Sequence, residues 1–403
     1  MEERQSMVWV RSLTGKLGGR YAGDCEFVVA VGALKGGLRQ MQFKGKLRTI
    51  LTPLIPKPPM IGGVTAFFLD VPTIDFDLTG LGEFVELPLL ITTVRNVINT
   101  QVSSICVLPN EIVIPLTTET NIVNLYFQEP DGVARINCIE ARNLENRDVF
   151  LQGKSDPFTR FSVGAQGFRT KTIDNTLNPI WNEIFEAVVD QAFGQKLLVE
   201  TYDDDVGKND DFLGRTSIDL GTVKDRGEID EWYALEGVKH GEIHLSITWL
   251  RLTTDMPSLA SETSVKQNVN NAILMVYIDN VSNLPSSKLD FEPSPLIEMT
   301  VGNVMQATFP KPKTRNPLYR QKFAFFVSNV EHQIFKIEAK DDANAKKTLG
   351  ECVVPIRELL KENNLQILEQ TLYLALGPHS SPLVVSLRLR VTMEINCTSQ
   401  TVH

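Results

Sequence analysis

Residues 202–214 read Tyr202-Asp203-Asp204-Asp205-Val206-Gly207-Lys208-Asn209-Asp210-Asp211-Phe212-Leu213-Gly214, with five carboxylates between positions 203 and 211. Two more aspartates stand upstream, Asp148 and Asp156, the second inside Lys154-Ser155-Asp156-Pro157. Carboxylates converging on one point repel by several kcal/mol, an order-of-magnitude figure for close like charges. A hard divalent cation with oxygen ligands relieves that repulsion, and Ca²⁺ accepts the high coordination number that flexible loops supply. The plainer alternative is a set of ordinary solvated loop charges.

The flanking sequence places these aspartates in loops. Gly132 to Glu140 alternates, with Val133, Ile136 and Ile139 apolar, and Phe158 to Val163, Lys196 to Tyr202 and Ile243 to Trp249 continue the pattern. Short strands at such intervals predict an antiparallel β-sandwich. Loops at one end of a sandwich converge, so residues distant in sequence can share one ion.

Charge supports a local reading. The chain has 403 residues, 42% of them apolar and 22% charged, enough for several domains with their own cores. Residues 131–250 hold 22 Asp and Glu against 13 Lys and Arg, whereas residues 1–130 (12 against 11) and 270–395 (13 against 14) are nearly balanced. The net charge of -9 therefore belongs to the middle segment, as a metal site would require. Cys25, Cys106, Cys138, Cys352 and Cys397 are scattered and odd in number, which fits isolated thiols rather than a disulfide framework or zinc knuckle. No apolar run approaches the ~20 residues that span a bilayer. As it stands the chain reads as cytosolic or peripheral.

Residues 271–394 echo the middle segment. Ala272 to Ile278 matches Val133 to Ile139, Asn316-Pro317-Leu318-Tyr319 matches Asn178-Pro179-Ile180-Trp181, and Leu349-Gly350 matches Leu213-Gly214. A repeat of about 130 residues is too long for a solenoid and indicates two copies of one domain. Residues 251–270 are the linker. The first 130 residues are α+β. Gly23 to Val31, Leu38 to Leu51, Phe67 to Leu69 and Thr73 to Leu78 read as strands, as do 111–116 and 121–127. After Pro88, apolar residues at three- and four-residue spacing predict an amphipathic helix.

At this point a resemblance carries further. Lys154-Ser155-Asp156-Pro157, Leu177 to Glu183 and Asp211-Phe212-Leu213-Gly214 resemble C2-domain signatures. Gly45 to Leu54 and Val107 to Leu116 are similar to the latter part of an SMP (synaptotagmin-like mitochondrial lipid-binding) domain. That order is the arrangement of extended synaptotagmins, the tricalbin-like family. The resemblance implies a mainly β chain: an unplaced segment 1–20, a partial TULIP-like SMP module over 21–128, a calcium-binding C2 β-sandwich over 131–250 and a calcium-independent one over 271–394. Relatives carry a hydrophobic hairpin and further SMP elements ahead of this stretch, so the chain reads as a fragment, a splice form or an incomplete gene model.

Carried over from C2 domains, the calcium ligands are Asp148 and Asp156 from the first loop and Asp203, Asp205 and Asp211 from the third. The carbonyls of Arg147 and Asp204 complete the shell, with Asp210 assisting. Lys208 weakens an outer ion. Val149, Phe150 and Leu151 would enter the bilayer, or Phe150 would pack on the loop base. In the second sandwich Ser294 replaces Asp156 and Ala343 replaces Asp205, so no tight calcium site is expected. Lys311, Lys313, Arg315, Arg320 and Lys322 form a basic run that would bind phosphoinositides, or stand as a solvated strand face. In the SMP module Ile50, Leu54, Ile61, Val64, Phe67, Phe68, Leu90, Val94 and Ile98 are candidates for an acyl-chain groove, although composition alone does not separate groove from core.

The resemblance implies a calcium-regulated tether that moves glycerolipid between endoplasmic reticulum and plasma membrane. It also implies partners in anionic phospholipid membranes and phosphoinositides, a glycerolipid ligand, a homodimer through the SMP module and no nucleic acid. The alternative is a tether or adaptor without transfer. An enzyme is the other class, but no Gly-x-Ser-x-Gly elbow or phosphate-cradling loop is present. His240 and His244, if both on a strand, lie ~13 Å apart, too far to share a metal. His332, His379 and His403 form no cluster.

Overall fold

The computed structural model describes residues 13–22, 27–31, 34–79, 88–118, 120–147, 153–205, 210–255, 270–286, 292–344 and 346–394. The described chain falls into two compact units. One is built from residues up to Thr120 together with Pro130–Trp249, the other from Asn121–Glu129 together with the chain from Leu250 onward. Strands dominate both, as the alternating patterns predict, and no helix among the described residues is long and apolar enough to cross a membrane. Cys106, Cys138 and Cys352 are free thiols.

The first unit opens with a sheet organised on one long strand, β3 (Leu34–Leu54). It pairs antiparallel with β1 (Leu13–Ala22), β2 (Phe27–Val31), β4 (Ile61–Phe68) and β5 (Thr73–Thr79), and β6 (Ile112–Pro115) adds to β4. Residues 13–20, which matched no sequence pattern, are most of β1, and that strand runs ten residues against β3. The expected helix is α1 (Pro88–Cys106), opening on a proline whose missing N–H is no loss in a first turn.

The same unit continues as a sandwich. One sheet is β10 (Ile180–Val189), β7 (Gly132–Arg142), β14 (Glu242–Thr253) and β13 (Glu228–Ala234). The other is β12 (Asp211–Asp219), β11 (Lys196–Asp203), β8 (Pro157–Val163) and β9 (Gln166–Arg169). Alternate side chains, among them Ile136, Phe161, Leu197, Val199 and Trp249, fill the space between. The end of this sandwich remote from the acidic loops docks on the N-terminal sheet. Ala165 N–H donates to Leu108 O at 2.7 Å, and the Arg48 guanidinium donates to Gln191 Oε1 at 2.6 Å and Phe193 O at 3.0 Å.

The second unit repeats the sandwich, with β18 (Leu318–Val327), β15 (Ala272–Val281), β22 (His379–Glu394) and β21 (Gln366–Leu376) in one layer. The other layer holds β17 (Val304–Ala307), β16 (Pro295–Val301), β19 (Ile334–Asp341) and β20 (Lys347–Pro355), and the two join where Glu351 on β20 pairs with Ala375 on β21. The repeat extends to single bonds. Asn178 Oδ1 accepts from Asn143 N at 2.9 Å, and Asn316 Oδ1 accepts from Asn283 N at 2.9 Å.

One expected strand is a helix. Residues 121–127 alternate like a strand, but Ile122–Tyr126 form α2. The Asn121 side chain accepts the Val123 N–H at 2.7 Å, and Phe127 N–H closes back on Val123 O at 2.8 Å. An N-cap outweighed the two-residue period in so short a segment.

Gly164 holds φ +59 beside the docking contact, where an added Cβ would collide with Leu108 O. Gly164→Ala is expected to cost about 1–3 kcal/mol in the first unit and to speed amide exchange at Ala165, read by urea unfolding with hydrogen exchange.

Candidate metal site and lipid-facing surfaces

Strand register assembles the acidic tip. Asp203, the last residue of β11, lies opposite Pro157 on β8 and opposite Asp211 on β12. Asp156, Asp203 and Asp211 therefore stand abreast at one end of a sheet. Asp156 N–H donates to Asp203 Oδ1 at 2.6 Å, and Asp204 N–H donates to Asp156 O at 3.0 Å. Asp203 is 2% exposed, and its second oxygen, Oδ2, is buried with no hydrogen-bond partner. A buried carboxylate oxygen left unpaired is costly. A cation with several open positions is the group that fits, with Asp205 half-buried and Asp211 exposed beside it. Asp156 Oδ1 also accepts Asn175 N–H at 2.5 Å, which holds its carboxylate in place.

The neighbouring carboxylates have other partners. Asp204 turns its side chain to Arg169 and Thr172, both at 2.7 Å, so its carboxylate is engaged by these two residues. Asp210, expected to assist, is bound to Arg160 at 2.6 Å. Arg160 also lies over the rings of Phe158 and Tyr202, and Arg169 lies over Phe158. Burial, with Glu200 alongside, pushes the Tyr202 phenol up. Sequence reading missed this arginine–aromatic layer. Its signal was the alternation that puts Phe158, Arg160 and Tyr202 on one face. Arg147 N–H donates to Ser155 Oγ at 3.0 Å, and its guanidinium donates to Phe212 O at 3.2 Å, which joins the first and third loops. Asp148, Val149, Phe150, Leu151 and Lys208 lie outside the described residues. Among the described residues no group of three or more His, Cys, Asp or Glu side chains is placed to hold a metal ion. His240 precedes β14 rather than lying on it; it bonds Asn143 O, whereas His244 bonds Asp230.

The second sandwich repeats the frame with fewer acids. Ser294 N–H donates to Asp341 Oδ1 at 2.9 Å and Asp342 N–H donates to Ser294 O at 3.0 Å, so Ser294 holds the position of Asp156. Opposite Asp341 on β20 stands Lys347, where the first sandwich has Asp211. Sequence reading missed this lysine because the loop is shorter, Asp341 to Leu349 against Asp203 to Leu213. The basic run divides. Lys311 N–H and Lys313 N–H bond Pro295 O and Ser294 Oγ at the loop end, and Arg315 folds onto Leu284 O and Asn283 Oδ1. Arg320 and Lys322 lie on β18, Arg320 3.7 Å from Asp279.

The N-terminal sheet also divides its candidates, by strand parity. Ile50 and Phe67 are buried in a core cluster with Leu69 and Leu108, and Leu54 and Ile61 share their side of the sheet. The other side carries Val64 and Phe68, opposite Leu51 and Leu47 on β3, with Ile114 opposite Val64 on β6. Ile112, Ile114 and Leu116 are 41%, 51% and 44% exposed. Sequence reading put β6 among the strands without naming these three; their alternation was the available signal. Val94 and Ile98 are half-buried on α1, and the Leu90 side chain lies outside the described set.

Comparison with known proteins follows these landmarks. The C2 domain family matches residues 132–235 and 272–371, and the synaptotagmin-like mitochondrial-lipid-binding domain matches residues 8–117. The chain is thus of the class that joins an SMP module to tandem C2 sandwiches. A solved extended-synaptotagmin 2 structure of the SMP domain with both following C2 domains superposes with a TM-score of 0.71 at 31% identity, over 96% of this chain and 85% of that one. A calcium-bound structure of the tandem C2 domains of extended-synaptotagmin 2 gives 0.58 at 34% identity, over 66% of this chain and 99% of that one. Extended synaptotagmin-2 of Mus musculus is 36% identical over 92% of this chain. The chain belongs to the extended synaptotagmin family. It spans 45% of the length of that mouse relative.

The buried Ser155 hydroxyl accepts from Arg147 N–H and donates to Glu145 O at 3.4 Å. Ser155→Ala is expected to cost about 1–2 kcal/mol and to accelerate exchange of the Arg147 amide, seen by NMR hydrogen exchange.

Proposed function

We propose that the chain is a calcium-regulated membrane tether that holds glycerolipid and passes it between apposed membranes at contacts of endoplasmic reticulum and plasma membrane. The observation that carries the calcium reading is Asp203, buried with an unpartnered Oδ2, in register with Asp211 and bonded through Oδ1 to Asp156 N–H. Asp148, Asp156, Asp203, Asp205 and Asp211 would hold Ca²⁺, with the carbonyls of Arg147 and Asp204. Bound there, the ion would neutralise a lipid-averse tip and leave coordination positions for lipid phosphate. Arg147 bonds Phe212 O across to β12, and Asn175 holds the Asp156 carboxylate, which supports a first loop held near Asp203. Val149, Phe150 and Leu151 would add apolar insertion worth a few kcal/mol together, on the order of ~25 cal/mol per Å² buried.

The lipid-holding reading rests on the open side of the N-terminal sheet, where Val64, Phe68, Ile112, Ile114 and Leu116 share an apolar surface. Acyl chains need only such walls. Lys311 and Lys313 would add calcium-independent attraction to phosphoinositide surfaces, about 1 kcal/mol each. Homodimerisation through the SMP module would place two such surfaces together. The alternative, a tether without transfer, shares the calcium site and differs only at the apolar surface.

Asp203→Asn with Asp205→Asn keeps the Oδ1 acceptor for Asp156 N–H but removes two charges. Calcium-dependent sedimentation with phosphatidylserine vesicles is expected to vanish, and an unchanged calcium requirement would discard the site. Native mass spectrometry of the purified chain is expected to show bound glycerolipid, lost in Val64→Glu with Ile114→Glu. Lipid-free protein would favour the tether alone.

A further inference from the structure

Residues Asn121–Glu129 lie in sequence between the SMP module and the first sandwich, yet they fold with the second. Val123, Leu125 and Phe127 are buried there. Register shows the surface they meet. On β15, Met275 pairs with Arg388 and Ile273 with Arg390 of β22, while Tyr277 pairs with Lys322 of β18. Directly paired residues share a side of a sheet, so these cations stand on one face around Tyr277. The intervening Leu274, Val276 and Ile278 enter the core.

The segment meets that face with matched chemistry. Phe127 lies 6.0 Å from the Tyr277 ring and under the Arg388 guanidinium at 4.7 Å, and its carbonyl accepts from Arg388 Nη1 at 3.3 Å. Glu129 is the one acid in the segment. Its carboxylate takes Arg390 Nε at 2.9 Å and sits 3.9 Å from Arg388. Arg320 reaches over Tyr126 at 5.9 Å. Arg390, a long cation only 4% exposed, is covered on its own sheet.

We infer that Asn121–Glu129 is a strap that covers and neutralises a cationic face of the second sandwich, withholding it from anionic lipid surfaces until the strap lifts. Guanidinium forks clustered on a flat face suit phosphate oxygens; Glu129 is shared by Arg388 and Arg390, and Asp279 lies 3.7 Å from Arg320. Arg320, Lys322, Arg388 and Arg390 would then act together on a membrane. The inference is independent of the calcium site, so it is tested without calcium.

The experiment uses the full chain in EGTA with vesicles of phosphatidylcholine and phosphatidylserine. Leu125→Ser with Glu129→Gln is expected to release the strap, seen as faster amide exchange across 121–129 with β15 still protected. Vesicle partitioning is expected to rise on the order of tenfold, and adding Arg388→Gln with Arg390→Gln should remove the gain. Release without gain overturns the inference, as does a gain that survives the arginine substitutions or a strap whose protection does not change. Should β15 itself open, Glu129→Gln alone, which removes no packing, carries the same expectation at smaller amplitude.

Discussion

Asp203 ends β11 with a neighbour on each side, the strand that Asp156 precedes and the strand that Asp211 opens. One pairing sets Asp211 opposite Asp203, and the other sets Pro157 there, with Asp156 just ahead of it. The backbone ladder thus brings the three aspartates to one end of the sheet, where the Oδ2 of Asp203 is buried without a hydrogen-bond partner. The rest of the first sandwich serves the arrangement. Ser155 and Asn175 pin the first loop, and Arg147 bridges to the third. Arg160 and Arg169 draw Asp210 and Asp204 aside onto the sheet face.

The second sandwich shows the same frame with fewer acids. Ser294 and Asp341 keep the backbone bonds of Asp156 and Asp203, so the loop path is retained while the Asp156 carboxylate is replaced by a hydroxyl. Lys347 stands opposite Asp341 where the first sandwich sets Asp211 opposite Asp203, so a cation replaces a carboxylate at that register position. One backbone design thus carries two tips of different charge, and the difference lies in a few side chains.

Much of this was legible in the sequence because β-structure writes itself at period two. The two sandwiches, their repeat and the acidic loops followed from alternation and from the position of Asp, Asn and Pro between strands. Three features were not. The 121–127 segment alternates like a strand, and its capping asparagine decides for a helix. The division of the apolar candidates needed register: Ile50 and Phe67 are as apolar as Val64 and Phe68, and only their strand partners tell which side each faces. Lys347 was hidden by a shortened loop, because the match between repeats was anchored on Leu349 rather than on the strand end.

The docking contact gives the acidic tip a mechanical context. β8 begins beside Asp156 and ends at Val163, next to the Gly164–Ala165 turn that binds Leu108 of the SMP module. Its seven residues span about 23 Å at the usual strand rise. The acidic tip therefore stands one sandwich length from the Leu108 joint, where Arg48 is buried between Gln191 and Phe193 O. The apolar side of the SMP sheet is the side opposite Phe67 and Ile50, hence turned away from the core cluster that Leu108 completes. A lipid resting there would be carried by a rigid spacer, and the reach of the module would be set by the length of β-strands rather than by a flexible linker.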